Sequence, residues 1–398
     1  MRNSKGDLMA RVVLPTIILG LCNIAFAEAP YIDPADDQKF FGPPENELFW
    51  TPEQQVAGYR NMDKISWTRK VPAGDDPYPL PTELLDLGGI EITTDDVTMT
   101  VDDYVRQQNV AGLIVVRNGT VVYERYELGN TPESRWISYS VAKSVTSLLV
   151  GAAIKDGYIR SVDESVTDYL PRLKDSSYDS STIRNVLQMS SGVDWDEDYA
   201  DRNSDINQVT WPTLAMYEYL RNKPRAHEAG EVFNYNTAES NLIGTMLRSA
   251  VGNNLSTYLS EKIWKPFGME YDAYWCLVEE GGGEFGGSSL NATLRDYARL
   301  GLFAMRNGEL RDGSKTLPDN WMTESTRPSK GDEGYGYQWW LRSETGFTAS
   351  GIFGQGIYIN PETRVVIALH SAWDVAWSQS NIARKLAMYE AINRAVSE

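Results

Sequence analysis

Histidine and cysteine are scarce in this chain of 398 residues, which contains two of each. His370 ends an apolar run, and His227 lies in a loop-like stretch. No G-x-S-x-G motif occurs, so the sequence gives little support for a Ser-His-Asp triad. Cys22 lies in the apolar N-terminal stretch, and its removal would leave Cys276 without a partner for an internal disulfide. The sequence also lacks metal-ligand clusters, phosphate-binding loops and internal repeats, so we expect no cofactor and no metal ion.

Basic residues are too few to balance the acidic ones. The chain has 37 Lys and Arg against 55 Asp and Glu, which gives a formal net charge of −18 at pH 7. Such acidity argues against nucleic acid and anionic membranes as partners, and it repels anionic substrates at long range. We therefore expect neither nucleic acid nor an anionic membrane as a partner, while the oligomeric state stays open.

Residues 1–27 are typical of a signal peptide. A basic start is followed by an apolar stretch at 12–26, which ends in the small-x-small cleavage site Ala25-Phe26-Ala27. This stretch is short and interrupted for a membrane span, so we expect no stable membrane insertion after its removal. Leu21 is too bulky to precede Cys22 in a lipoprotein cleavage site. The sequence thus predicts export, to the periplasm or outside the cell.

A serine and a lysine stand three positions apart in Ser140-Val141-Ala142-Lys143. On a helix they lie on one face, about one turn apart. A serine hydroxyl is a weak nucleophile until a base takes its proton, and a lysine can be that base if burial or a helix N-terminus lowers its pKa. The pair indicates acyl-transfer chemistry without histidine, and the alternative is an ordinary helix start with a surface lysine.

The context of Ser140 favours the catalytic interpretation. The stretch 111–126 is typical of a β-hairpin, with Asn118-Gly119 as a type I′ turn. Apolar residues at helical spacing follow the serine, and Asp156-Gly157 would end that helix. Ser140 is therefore expected at a helix N-terminus just after a pair of strands.

Two further segments could contribute to the same site. Tyr235 lies in a turn before a helical run, and a phenol near a protonated lysine has its pKa lowered and could shuttle a proton. The segment 347–369 predicts two strands joined at 360–363, and its glycines would let a substrate lie close to the backbone. The alternatives are a core tyrosine and a Gly-rich core hairpin.

Taken in order, these three segments resemble the serine β-lactamase-like superfamily, in its class C and esterase branch. Its pattern is S-x-x-K, then Tyr-x-Asn/Ser/Thr, then a strand with a Lys/His-x-Gly-type motif. The resemblance covers roughly residues 100–395 and includes further matching stretches at 181–193, 258–269 and 286–299. Within the superfamily the chain is most similar to the 6-aminohexanoate-dimer hydrolases, at 49–63, 193–199 and 351–355.

The resemblance implies an α+β fold in which an antiparallel sheet is flanked by helices and carries an inserted, mainly helical domain. The expected divisions are an irregular N-terminal wrap at 28–95, a sheet domain at 96–160 and 286–398, and a mainly helical domain at 161–285. Strands are expected at 334–342, 348–359 and 365–371, and a final helix at about 380–396.

The resemblance also implies roles for residues. Ser140 would attack the carbonyl, and Lys143 and Tyr235 would share the base and acid work, with the first proton acceptor left open. The backbone N–H groups of Ser140 and Ile352 would form the oxyanion hole. Three further residues would contact the substrate: Tyr199, Thr237 and Gly351. The cleft between the two domains would hold these groups.

One departure from the family pattern bears on the substrate. Ala349-Ser350-Gly351 stands where the family has Lys-Thr-Gly, so the cation that would hold the carboxylate of a β-lactam or a stem peptide is expected to be missing. We therefore expect a serine hydrolase that cleaves an amide or ester through an acyl-enzyme. The alternatives are a β-lactamase or D-Ala-D-Ala carboxypeptidase and, from another class, a catalytically silent binding protein.

Overall fold

The computed structural model describes residues 29–342 and 346–398. The predicted signal peptide, with Cys22, lies outside the described residues. Across the part of the chain that is described, no helix combines the length and the hydropathy that a membrane span requires.

The helices mostly begin where a Ser, Thr or Asn side chain accepts a hydrogen bond from a backbone N–H of the first turn, which satisfies an otherwise unpaired donor. They are α1 (Pro52–Tyr59), α2 (Met62–Ile65), α3 (Val101–Gln107), α4 (Val141–Lys155), α5 (Val166–Tyr169), α6 (Ile183–Leu187), α7 (Asp205–Gln208), α8 (Thr213–Arg221), α9 (Thr237–Val251), α10 (Leu255–Leu259), α11 (Lys265–Phe267), α12 (Leu294–Met305), α13 (Trp321–Ser325) and α14 (Gln379–Ser397). Short 3₁₀ helices occur at Pro34–Phe40, Pro44–Phe49, Pro171–Leu173 and Ile352–Gly354, and a π-helical turn at Ser260–Trp264.

The strands form three sheets. They are β1 (Thr68–Val71), β2 (Glu91–Thr93), β3 (Thr98–Thr100), β4 (Val110–Arg117), β5 (Thr120–Tyr126), β6 (Arg135–Ile137), β7 (Ala273–Cys276), β8 (Leu290–Thr293), β9 (Trp340–Leu341), β10 (Phe347–Ser350), β11 (Gly356–Asn360) and β12 (Val365–Ser371). The central sheet has the antiparallel order β5-β4-β12-β11-β10-β9, a second sheet has the order β1-β7-β8-β6, and β2 pairs with β3. The central sheet thus joins strands from both ends of the chain, and the predicted α+β class is confirmed.

The central sheet is buried on both faces. Along β12, Val366 and Ala368 belong to the cluster that includes α4 and α12, whereas Ile367 and Leu369 belong to the cluster that includes α14. This alternation follows from the two-residue period of a strand. Burying a Val, Ile or Leu side chain in this way stabilises the fold by about 1.5–3 kcal/mol. The covered faces explain why β12 is an unbroken apolar run in the sequence.

Several predicted elements are confirmed. The hairpin at 111–126 is β4 and β5, joined by Asn118 and Gly119 at φ 52° and 82°, as a type I′ turn requires. The helix after Ser140, the strand at 365–371 and the C-terminal helix also occur, as α4, β12 and α14. The domain boundaries stay predictions, and residues 29–95 contain short helices and strands between extended stretches.

Two predicted strands are wrong. The strand expected at 348–359 is divided into β10, a 3₁₀ turn and β11, because Phe353 and Gly354 have φ of 56° and 99° and reverse the chain. The strand expected at 334–342 is reduced to β9, since Gln338 has a φ of 62° and interrupts the extended backbone. Both errors place a turn where the sequence predicts a continuous strand.

The second sheet, which was not predicted, positions Ser140. Strand β6 pairs with β8, and the backbone N–H of Ser138 then donates to the Leu290 carbonyl at 2.9 Å. The Ser138 hydroxyl accepts from the Leu290 N–H, also at 2.9 Å. The chain turns at Tyr139, which has a φ of 45°, and enters α4. The second sheet therefore fixes the strand end from which the Ser140 helix starts.

Candidate active site

Ser140 and Lys143 meet at the start of α4. Ser140 occupies the N-cap position, and the Lys143 ammonium nitrogen lies 3.0 Å from the Ser140 hydroxyl oxygen. Lys143 Nζ also lies 3.0 Å from Thr237 Oγ1 and 2.8 Å from the Gly287 carbonyl oxygen. The helical spacing seen in the sequence thus becomes a direct contact, and α9 and the segment before β8 hold the amine in place.

Burial makes Lys143 a base near neutral pH. The lysine is only 1% exposed, and this burial lowers its pKa from 10.5 to about 7. The Glu197 carboxylate acts in the opposite direction. A substantial fraction of Lys143 is therefore neutral at pH 7 and can accept a proton from the Ser140 hydroxyl. The cause is the low-dielectric surroundings of the amine.

Tyr235 lies close to Ser140 and Lys143, in the segment that precedes α9. Its ring centroid lies 5.1 Å from Lys143 Nζ and 5.7 Å from the ring of Trp340, on which it stacks. Burial raises the pKa of Tyr235, and a hydrogen bond with Ser140 opposes this increase only in part. The expectation that Lys143 lowers the pKa of Tyr235 is wrong, because desolvation of the phenolate dominates. Tyr235 is thus a protonated phenol at neutral pH.

The two residues whose backbone N–H groups are expected to form the oxyanion hole line the same cavity. Ser140 and Ile352 both line it. Among residues 29–342 and 346–398, neither backbone N–H donates to a protein acceptor. Backbone N–H groups without a protein acceptor at the wall of a cavity are what a preorganised oxyanion site requires.

The cavity has a volume of about 960 Å³ and a mainly apolar wall. Tyr199 and Gly351 line it together with Ser140 and Tyr235, whereas Thr237 does not line it and contacts Lys143 Nζ from behind. The structure therefore brings the predicted site residues together at one cavity. The N-terminal region and the segment after β12 supply further lining residues: Leu48, Phe49, Trp50, Trp373, Val375 and Trp377.

Glu197 is a site residue that the sequence analysis missed. Its carboxylate accepts hydrogen bonds from the Tyr199 hydroxyl at 2.8 Å and the Thr237 backbone N–H at 3.0 Å, and also from the Thr237 hydroxyl and the Trp195 indole. The residue lies in an acidic run, Asp196-Glu197-Asp198, which in the sequence is typical of a solvated loop. Only the fold shows that the middle carboxylate lies beside Lys143 and Thr237.

The expectation that Ala349-Ser350-Gly351 has no cation beside it is wrong. Lys385, on α14, places Nζ 2.8 Å from the Ser350 hydroxyl and 3.3 Å from the Gln355 carbonyl oxygen. Lys385 is 1% exposed. The family motif describes only residues of the strand. It therefore gives no information about a lysine on a helix 35 residues later in the chain.

Among the described residues, the histidines and Cys276 do not line the cavity. His370 is buried and stacks on Trp136 with ring centroids 6.0 Å apart, and burial lowers its pKa to about 3, so that the imidazole is neutral. Cys276 is a buried free thiol whose pKa is raised by desolvation. Within the described part of the chain, no group of three His, Cys, Asp or Glu residues could hold a metal ion.

Comparison with known proteins gives consistent results. The beta-lactamase family description matches residues 97–387, well over half of the chain. The 6-aminohexanoate-dimer hydrolase of Paenarthrobacter ureafaciens is 29% identical over 285 residues, which covers 65% of this chain and 72% of that protein.

Solved structures share the fold at lower identity. A candidate 6-aminohexanoate-dimer hydrolase from Bacillus anthracis has a TM-score of 0.77 and 23% identity, and the match covers 86% of this chain and 94% of that one. A family VIII carboxylesterase has a TM-score of 0.56 and 16% identity, with coverage of 72% and 93%. The chain therefore belongs to the beta-lactamase family and is a homologue of 6-aminohexanoate-dimer hydrolase.

Proposed function

We propose that this protein is a serine hydrolase that cleaves an amide or ester bond through an acyl-enzyme on Ser140. The observation that carries the proposal is the contact between Lys143 Nζ and Ser140 Oγ at 3.0 Å, together with the pKa of about 7 for this lysine. A nucleophile beside a base that is neutral near the working pH is the arrangement that acyl transfer needs.

In the first half-reaction, the Ser140 hydroxyl loses its proton to neutral Lys143 as its oxygen bonds to the substrate carbonyl carbon. The backbone N–H groups of Ser140 and Ile352 donate to the oxyanion, and each such donor is typically worth ~3 kcal/mol in the transition state. Tyr235 keeps its proton at neutral pH, because burial raises its pKa. We assign it as the acid that protonates the leaving amine or alcohol, after which Lys143 returns a proton to Tyr235.

In the second half-reaction, water attacks the acyl carbon while Lys143 takes a proton from that water. The ester bond to Ser140 breaks, and its oxygen regains a proton as the carboxylic acid leaves. Protons and bonds then balance over the cycle, with one water consumed. No group outside Ser140, Lys143 and Tyr235 has to change its protonation state.

The proposed substrates are small linear amides or esters, and the 6-aminohexanoate dimer is the first to test. The homologue from Paenarthrobacter ureafaciens supports this choice. The cavity also supports it, since about 960 Å³ with a mainly apolar wall accommodates an extended alkyl chain. The predicted signal peptide would place this activity in the periplasm or outside the cell.

Labelling with a fluorophosphonate tests the nucleophile. Wild-type protein should be labelled, and Ser140→Ala should lose both the label and the hydrolysis of p-nitrophenyl butyrate. Ser147→Ala is the matched control, because Ser147 lies in the same helix and its buried hydroxyl has no hydrogen-bond partner among the described residues. Absence of label from a folded wild-type protein would instead support the catalytically silent binding protein.

A β-lactamase remains a second candidate, because Lys385 places a buried amine beside Ser350 on β10. A comparison of kcat/KM distinguishes a β-lactamase from the proposed amide or ester hydrolase. The four substrates are nitrocefin, a D-Ala-D-Ala peptide, p-nitrophenyl butyrate and the 6-aminohexanoate dimer. We expect one of the last two to be the best substrate. Nitrocefin as the best of the four would contradict the proposed substrate class.

A further inference from the structure

Lys385 and Arg342 are two basic side chains near the end of the cavity that Ser350 lines. Arg342 lines the cavity, and so does Ile382, one helical turn before Lys385 on α14. The Lys385 amine contacts Ser350, which also lines the cavity. Arg342 is close enough to lower the pKa of Lys385, in addition to the effect of burial. Two basic side chains from β9–β10 and α14 thus converge at the Ser350 end.

This pair has no acidic partner in the described residues. Among residues 29–342 and 346–398, no carboxylate forms an ion pair with Lys385 or Arg342, and Asp332 influences Arg342 only at longer range. In the same residues, Arg342 Nε is buried without a hydrogen-bond acceptor. Burial without a counter-ion favours the neutral form of Lys385 in the protein without ligand. A carboxylate bound beside Lys385 and Arg342 would supply the missing counter-ion and favour the charged amine.

Ser350 connects Lys385 to the cavity. Its oxygen accepts a hydrogen bond from the Lys385 ammonium, and its hydroxyl hydrogen is then available to donate to a ligand. On the other side of the amine, the Trp373 ring centroid lies 5.0 Å from Nζ. The carboxylates that line the cavity belong to other segments, at Glu197, Asp198 and Asp374. Among the described residues that line the cavity, Arg342 is the only basic one.

We propose that Lys385 and Arg342, acting in part through the Ser350 hydroxyl, bind a carboxylate of the substrate and so select anionic amides or esters. This inference rests on the proposed function, because it names the substrate class of the same site. The anchoring cation comes from α14 and not from the strand where the family motif places it. It also explains how a chain with a net charge of −18 can admit an anion, since local cations act at short range.

The test uses two matched pairs of neutral and anionic esters. One pair carries a carboxylate or a carboxamide on the leaving group, as 4-carboxyphenyl and 4-carbamoylphenyl butyrate. In the other pair the carboxylate or carboxamide lies on the acyl group. These esters are the monophenyl ester of adipic acid and the same ester with a carboxamide in place of the free carboxylate. In at least one pair we expect wild-type kcat/KM to favour the carboxylate by about tenfold or more, because hydrogen bonds to charged groups are among the stronger ones.

Variants test whether Lys385 and Arg342 cause the preference for the carboxylate ester. Lys385→Met, which has a similar volume, should reduce the ratio of carboxylate to carboxamide kcat/KM by about tenfold, and Lys385→Arg should retain part of it. Arg394→Met is the matched control, because this exposed residue of α14 gives the same change in net charge. Arg342→Met is a second probe, and it decides the question if Lys385→Met does not fold.

The outcomes separate this inference from the proposed function. A wild-type protein that labels with fluorophosphonate but shows no preference in either pair would overturn the carboxylate site while leaving the nucleophile assignment intact. A preference that persists unchanged in both Lys385→Met and Arg342→Met would also overturn it. Loss of the ratio in these variants, with Ser140 still labelled, would support it.

Discussion

Tyr139 and Phe353 come from different segments, and their rings lie 5.4 Å apart between centroids. Both have a backbone φ in the left-handed region, 45° and 56°, which is rare for aromatic residues. Tyr139 precedes Ser140, and Phe353 follows Ile352. The contact therefore holds the two proposed oxyanion donors at a fixed separation, and the buried Tyr59 ring packs against both residues. Strain of ~1–3 kcal/mol at each position is typical of functional sites.

Phe353→Ala tests this relationship. Removing the ring should lower the unfolding free energy by about 3–5 kcal/mol and should also reduce kcat for a neutral ester by roughly 10²-fold, because the Ile352 N–H loses its position. Phe303→Ala is the control, since Phe303 is equally buried in α12. Stability measured by urea unfolding should fall in both variants, and kcat only in the first. An equal effect on kcat in both would show that the Tyr139–Phe353 contact has no special role.

Lys143→Ala and Tyr235→Phe test whether the base and the acid act as a unit. Each should lower kcat by roughly 10²-fold or more, because general acid–base groups typically contribute that much. The double variant should be only slightly slower than either single one, since residues that act together are non-additive. Kinetics with p-nitrophenyl butyrate give all four values. Losses that simply multiply would contradict proton sharing between Lys143 and Tyr235.

The pKa of Lys143 predicts the pH profile. Because the base must be neutral, kcat/KM for a neutral ester should rise with pH and reach half of its plateau near the pKa of about 7. Glu197 raises this pKa, so Glu197→Gln should move the acidic limb to lower pH. Asp198→Asn is the control, because this neighbouring carboxylate also lines the cavity but is not among the groups that shift Lys143. A limb that stays in place in Glu197→Gln would identify another group as the base.

The sequence predicts best what depends on local spacing. The Ser140–Lys143 contact follows from three residues of α-helix, and the β4–β5 hairpin follows from Asn118-Gly119 between apolar runs. The expectation that one antiparallel sheet contains segments from both ends of the chain came from the family resemblance, because spacing along the chain does not determine which strands pair. Local pattern and family pattern together therefore predicted that Ser140, Lys143 and Tyr235 lie close to one another.

The missed features depend on contacts between distant segments. Lys385 reaches Ser350 from α14, and Glu197 reaches Lys143 and Thr237 from a loop. The pKa of Tyr235 is raised and not lowered, because burial is a property of the folded environment that a list of neighbours in sequence does not contain. The turn at Phe353 was missed for a related reason, since a positive φ at a non-glycine residue is imposed by its packing.

Buried Lys385 also predicts how stability depends on pH. Its pKa falls from 10.5 in an exposed lysine to about 7 in the fold, so between these values the unfolded chain binds a proton that the folded protein does not. Stability from this group therefore rises with pH across that window and is lost as pH falls toward 7. The slope for one such lysine is about 1.4 kcal/mol per pH unit.

Lys385→Met removes this titration and isolates its contribution. Between about pH 7.5 and 9, the unfolding free energy of the wild type should rise by about 1.4 kcal/mol per pH unit more than that of Lys385→Met. The slope of the unfolding free energy against pH should be reduced by a similar amount in Lys143→Met, because burial lowers the pKa of Lys143 to about 7 as well. Arg394→Met should follow the wild-type slope, since Arg394 lies on the exposed face of the same helix as Lys385. Urea unfolding at a series of pH values gives the slopes of the wild type and of the three variants. Parallel curves for the wild type and Lys385→Met would mean that Lys385 keeps an ordinary pKa in the fold, and hence that it is charged throughout this range.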